Sequence, residues 1–352
     1  MKNSYRVIGV MSGTSLDGVD LAAIDFNWDE GRWNFQIIHA ETVSYSINWK
    51  NRLKHAIDLP QESLHLLNVE YTGKLGEIIR EFISKNDIHD LDAVCSHGHT
   101  ILHRPDLGYT LQIGNLPEIV KIIGHTVVCD FRTADVALGG QGAPLVPIGD
   151  ALLFSEYEFC LNLGGFANIS FQKNEKRIAF DICPVNIVLN SLANKIGLEY
   201  DAEGKQASNG KVNSSLLKSL NELPFYGELP PKSLGLEWVR AAVFPLIESH
   251  KVSIEDALRT FVEHIAVQIS KHLNLPGKVL VTGGGAWNDF LMERIRSFSK
   301  AEIVIPESEI IDFKEALIFG FLGVLKLRGE VNCLAEVTGA EKDHSSGVIF
   351  TD

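Results

Sequence analysis

Met11-Ser12-Gly13-Thr14-Ser15-Leu16-Asp17-Gly18-Val19-Asp20 separates two apolar runs, residues 7–11 and 21–26, and reads as a tight turn between antiparallel strands. Its glycines let backbone approach an anion closely, and successive N–H groups with Ser and Thr hydroxyls can wrap phosphate oxygens. A carboxylate there would repel phosphate directly, so Asp17 or Asp20 fits best as a holder of Mg2+ or its waters. No Walker-type lysine follows and the turn leads into a strand, which excludes a P-loop. A plain hairpin rich in turn formers is the alternative reading.

Outward from this turn, residues 35–45 add a third strand, residues 61–85 have helical spacing, and 92–96, 110–113 and 126–130 read as strands. The Gly- and Pro-rich stretch 138–147 reads as an interdomain crossing. A similar pattern then begins again: a strand at 158–162, the turn Leu163-Gly164-Gly165-Phe166, and strands at 167–172 and 177–182. Two strand–glycine turn–strand–strand units imply a duplicated α/β architecture. A helix over 254–273 stops before Pro276. A strand at 278–282 meets Gly283-Gly284-Gly285 and a helix from about Asn288, and the last helix is expected over 313–327.

At 352 residues the chain is long enough for two domains, and 45% hydrophobic with 22% charged residues is a globular composition. A net charge of −13 supplies no basic footprint, which argues against nucleic acid or an anionic membrane as partner. The five cysteines are odd in number and scattered, which fits a reducing compartment and indicates no metal cluster. The longest apolar stretch, 316–325, is about half a membrane span, and the N-terminus lacks a signal-peptide core, so a cytoplasmic protein is expected.

Several positions can carry chemistry. Gly164-Gly165 can cradle phosphates or simply close a hairpin. The Gly283–Gly285 run, between strand and helix, brings backbone close to a ligand at a helix N-terminus, or only packs the turn tightly. Asp181 ends the apolar stretch 178–180 and suits a general base or metal partner; the alternative is an N-cap for a helix starting near Val185. His97-Gly98-His99-Thr100 is weak as a zinc motif and reads as a polar loop contacting ligand or the other domain. Arg132 can pair with Asp130 or Asp135, or clamp a carboxylate. Asp312 and Glu315 fit a capping box, which competes with a ligand role for Glu315.

Together these segments resemble the anhydro-N-acetylmuramic acid kinase family, within the acetate/sugar kinase–Hsp70–actin superfamily. The resemblance covers nearly the whole chain: GVMSGTSLDGVD, SHGHT, TLQIGN, DFRTADVALGGQGAPLVP, NLGGFANIS, PPKSLGLEW, VTGGGAWN, DFKEALIFGFLG and VTGA, in that order. It implies an α/β fold of two ribonuclease-H-like domains with mixed five-stranded sheets flanked by helices and an ATP cleft between them. The boundaries expected are 1–131 plus about 327–352, and 132–326. The implied reaction opens the anhydro ring with water and phosphorylates the freed O6, using ATP and Mg2+, in cell-wall sugar recycling.

Carried over by position, Ser12, Gly13, Thr14, Ser15, Leu16, Asp17, Gly18, Val19, Gly164 and Gly165 would hold phosphates. Gly283, Gly284 and Gly285 would hold adenosine, and Asp181 would be the base. Arg132, Glu315 and His99 would meet the sugar, and Asp17 and Asp20 the Mg2+. Partners are then the amino sugar and ATP, and a homodimer is compatible. Two departures stand out. The family usually reads FDTGPGN where this chain has Phe180-Asp181-Ile182-Cys183-Pro184-Val185-Asn186, so the loop after the base is expected to take another path. His99 replaces a usual glutamine. Alternatives left open are a superfamily kinase for another sugar or carboxylate, and a catalytically retired ATP-binding sensor.

Overall fold

The computed structural model describes residues 2–13 and 15–351, so Thr14 of the hairpin lies outside the described residues. Twelve strands are present among these: β1 (Ser4–Ser12), β2 (Gly18–Asp29), β3 (Arg32–Ser44), β4 (Ala93–Arg104), β5 (Tyr109–Ile113) and β6 (Val127–Cys129), then β7 (Phe159–Leu163), β8 (Phe166–Lys173), β9 (Lys176–Pro184), β10 (Lys278–Thr282), β11 (Glu302–Val304) and β12 (Val348–Phe350). They form two sheets, ordered β12-β6-β4-β1-β2-β3 with β5 on β4, and β11-β10-β7-β8-β9.

The two sheets repeat one plan. In the first, β1, β2 and β3 form an antiparallel meander and β4 and β6 join β1 in parallel. In the second, β7, β8 and β9 form the meander and β10 and β11 join β7 in parallel. This is the ribonuclease-H-like order that the resemblance implied, present in both halves as the duplicated sequence pattern suggested. The first sheet has seven strands where five were expected, because β5 folds back on β4 and β12 closes the other edge against β6. Burial follows position: Val7, Ile8 and Val10 of central β1 are all buried, while edge β3 mixes buried and exposed positions.

The chain divides into a unit running to Leu153 and resuming at Phe313, and a second unit from Phe154 to Asp312. This corrects the expected boundaries near 131 and 327 and the reading of 138–147 as a crossing. The Pro147–Leu153 helix belongs to the first unit because Asp150 pairs with Lys314 at 2.7 Å, both side chains about 5–6% exposed, and Ile318 packs on Gly149. The loop before it is tied to the same unit by the Asp135 carboxylate, which accepts from Gly142 N–H at 2.7 Å.

In the second unit, Phe261, Val262 and Ile265 of the Ile254–Ser270 helix join Leu161 and Ile169 of the sheet in one core. The last long helix spans Ser308–Arg328, starting five residues before the expected 313. Asp312 is therefore inside the helix and takes a hydrogen bond from the Trp287 indole at 3.0 Å, so the capping-box reading of Asp312 and Glu315 falls. This helix crosses β1 so closely that a Cβ on Gly9 would lie 1.8 Å from the Ala316 carbonyl oxygen. No helix among the described residues is long and apolar enough to cross a membrane.

Candidate functional site

In the first unit, β4 is a strand through the SHGHT segment, not the loop expected, and it separates its two histidines. Gly98 takes φ +74°, and the β1–β4 register shifts there, with Val10 opposite Ser96 and Ser12 opposite His99. The ring of His97 turns to Arg132, whose Nε donates to His97 Nε2 at 2.8 Å. The Nδ1–H of His97 then donates to the Gly98 carbonyl at 2.9 Å, which fixes the tautomer. Burial, then the Arg132 charge, hold the His97 pKa well below its usual value, so the ring is neutral and can accept.

Arg132 is fixed a second time: Nη1 donates to the Gly142 carbonyl at 2.6 Å, and Phe319 lies under the guanidinium at 6.0 Å. It bonds neither Asp130, which accepts from Thr133, nor Asp135, which holds the Gly142 amide. Its neighbouring charge is Glu315, the largest influence opposing the desolvation that lowers the Arg132 pKa to about 10. Glu315 itself is exposed by area, yet surrounding protein raises its carboxyl pKa; Arg132 opposes that rise and Asp20 adds to it. The fold thus gathers Arg132, Glu315 and Asp20, with His97 as the orienting residue that the sequence reading had not assigned.

His99 goes elsewhere. Its Nδ1 lies 2.8 Å from Ser12 Oγ, which is 2.6 Å from the Tyr45 hydroxyl, itself 2.5 Å from that of Tyr71. Ser12 and His99 are each about 2% exposed, and burial lowers the His99 pKa to about 4. In this structure His99, expected to meet the sugar, braces the hairpin through Ser12. The Ser12 hydroxyl is engaged in the same way, so that residue offers backbone only. Ser15 and Asp17 are exposed at the turn, Gly13 and Leu16 half-buried, and Gly18 and Val19 buried in β2. Asp20 is half-buried and accepts from the Thr42 hydroxyl at 2.6 Å.

The second unit places its glycines together. The carbonyls of Gly164 and Gly165 accept the N–H groups of Asn186 (3.2 Å) and Val185 (2.8 Å), and Asn186 Nδ2 donates to Leu163 O at 3.2 Å. The Gly283–Gly285 run packs on the same turn. A Cβ on Gly283, at φ +81°, would lie 2.5 Å from Asn162 Oδ1, and one on Gly285 would lie 2.7 Å from Leu163 Cβ. Gly284, Gly164 and Gly165 differ, since a Cβ there would meet nothing nearer than 3.3 Å. Protein packing explains two of the five glycines. The other three leave backbone bare.

Asp181 lies on β9, opposite Asn168, where a bulge leaves Ile182 without a register partner before Cys183 pairs with Ala167. Bulges of this kind re-aim side chains. One carboxylate oxygen accepts from Leu234 N–H at 2.8 Å, and the Asp181 N–H donates to Lys232 O at 3.1 Å. The other oxygen takes no hydrogen bond from the described residues. Asp181 is no helix cap: the Asn186–Asn194 helix begins after Val185 without a side-chain cap. Burial raises its pKa and the Leu234 amide partly offsets this. The departure from the family pattern is absorbed inward, because the strand continues to Pro184 and Ile182, Cys183 and Val185 join the core.

Comparison with known proteins shows the family. The family model for anhydro-N-acetylmuramic acid kinase matches residues 5–352. The curated anhydro-N-acetylmuramic acid kinase of Mannheimia succiniciproducens is 34% identical over 99% of both chains. That of Pasteurella multocida is 35% identical over 97% of this chain and 96% of its own, and that of Haemophilus influenzae 33% identical over 99% and 98%. The chain belongs to the anhydro-N-acetylmuramic acid kinase family.

Proposed function

We propose that the chain is an ATP-dependent kinase that opens 1,6-anhydro-N-acetylmuramic acid with water and transfers phosphate to O6, giving N-acetylmuramic acid 6-phosphate. The observation that carries this reading is Asp181: a half-buried carboxylate held through one oxygen by Leu234 N–H, with the other left without a hydrogen bond. A pKa raised by burial makes its carboxylate a better proton acceptor.

Asp181 takes a proton from water as the water oxygen bonds to the anomeric carbon. The bond from that carbon to O6 breaks, and O6, carrying the electron pair, attacks the γ-phosphorus in line as ADP leaves. The departing O6 is the nucleophile, so no second base is required. Arg132, oriented by His97 and the Gly142 carbonyl, meets the lactyl carboxylate with its remaining N–H groups, a fork that lysine would copy poorly. Glu315 accepts from the sugar. Backbone of the 12–19 hairpin and of Gly164-Gly165 holds phosphate oxygens, and bare Gly284, with Gly283 and Gly285, holds adenosine. Hard carboxylate oxygens at Asp17 and Asp20 fit Mg2+ held through water, which would offset phosphate charge.

The test is turnover with Mg-ATP of the anhydro sugar beside ring-open N-acetylmuramic acid. Phosphorylation of the anhydro form alone is expected. Preference for the ring-open sugar would point to an ordinary sugar kinase, and ATP binding with no transfer to either would point to a retired enzyme.

A further inference from the structure

The first unit buries a group of residues to which the kinase chemistry gives no role: Asp135, Cys333 and His344. One oxygen, nitrogen or sulfur from each lies within 4.8 Å of the others. Asp135 and Cys333 are about 0–1% exposed and the His344 side chain 9%. Asp135 Oδ1 accepts from Cys333 Sγ at 3.1 Å and from the Thr338 hydroxyl at 2.7 Å.

His344 makes this group unusual. Its Nδ1 lies 3.1 Å from the Lys342 carbonyl, which can only accept, so Nδ1 carries the hydrogen. In the neutral ring Nε2 is then a bare lone pair. That atom is buried without a hydrogen-bond partner and faces Asp135 Oδ1 at 3.6 Å. Two electron-rich atoms opposed in a dry site repel unless a cation lies between them. An imidazole whose far N–H is tied to a backbone carbonyl is also the arrangement found in metal-ligating histidines.

We infer that Asp135, Cys333 and His344 form a structural site for a zinc-class divalent ion. Sulfur, imidazole and carboxylate suit zinc, and tetrahedral bonds of about 2.0–2.3 Å put ligand atoms roughly 3.3–3.5 Å apart. The separations here are 3.1 and 3.6 Å. Binding replaces the Cys333 thiol proton, which leaves to solvent, so one proton is released per ion. The Thr338 hydroxyl or a water completes the shell. The ion would join residues far apart in sequence and stiffen the loop through Asp135 to Gly142, whose carbonyl holds Arg132.

The test is titration of chelator-treated full-length protein with zinc alone against a chromophoric chelator, and with cobalt as a spectroscopic probe. One ion per chain, a rise in Tm and a thiolate-to-cobalt charge-transfer band are expected, with affinity at least about 100-fold weaker in Cys333→Ser and in His344→Gln. Absence of binding by the wild-type chain at micromolar zinc overturns the site, as does binding that both variants leave unchanged. So does a chain that ignores zinc but loses stability with rising pH in a His344-dependent way, since a proton then fills the gap.

Discussion

The two units share one strand order but finish their first turns differently. The β1–β2 connection of the first unit is five residues, 13–17, and is braced by side chains: Ser12, Tyr45, Tyr71 and His99. The β7–β8 connection of the second is Gly164-Gly165 alone, braced by backbone N–H groups at the start of the Asn186–Asn194 helix. Charge is divided in the same way. Glu315 feels the charges of both Arg132 and Asp20 in the first unit, whereas the second sets one carboxylate, Asp181, on β9, whose end pairs with β8 next to its bare glycines. A duplicated sheet can therefore keep its register while, under the proposed function, one copy reads a charged sugar and the other presents backbone and a base.

The sharpest way to break this contrast is Asp181→Asn. We expect kcat to fall about 10³-fold or more with ATP affinity retained; near-normal turnover would remove the base from the second unit. The same variant should melt higher at pH 7. A raised folded pKa means the ionised carboxylate is disfavoured by folding, a penalty absent at low pH that grows as pH rises through that pKa. The stability gap between variant and wild type should open with rising pH and close in acid, which thermal unfolding across pH would follow.

On the first unit, Arg132→Lys should raise KM for the sugar about 100-fold and leave that for ATP unchanged. His97→Ala should do the same by about 10-fold, since Arg132 Nε then loses its acceptor. Equal loss toward both substrates would mean the arginine is structural. Between the turns, Gly284→Ala should raise KM for ATP about 10-fold with Tm unchanged, while Gly285→Ala, which drives a Cβ into Leu163, should lower Tm. The smallest effect on turnover is expected for Tyr45→Phe: a loss of about 1 kcal/mol of stability from the hydrogen bonds that Ser12 and Tyr71 lose, with kcat within about twofold.

Local sequence carried the strands and the long helix Gln61–Lys85, because hydrophobic period and turn residues are local signals. The boundaries were not legible. Residues 138–147 have the composition of a linker, but their place is set by Asp135, the Lys314–Asp150 pair and Thr338, partners separated by up to 203 residues. His97 and His99 look equivalent at i and i+2, and only the Gly98 register shift sends one to Arg132 and the other to Ser12. Cys333 and His344 have no metal spacing in sequence, since their third companion is Asp135. Asp181 was visible because a carboxylate interrupting an apolar strand is itself an anomaly.

The most direct measurement is the mass of the product formed from the anhydro sugar and Mg-ATP in oxygen-18 water. One labelled oxygen in the sugar, at the anomeric position, together with phosphate at O6 is the expected product. A phosphorylated product free of label would contradict water attack assisted by Asp181.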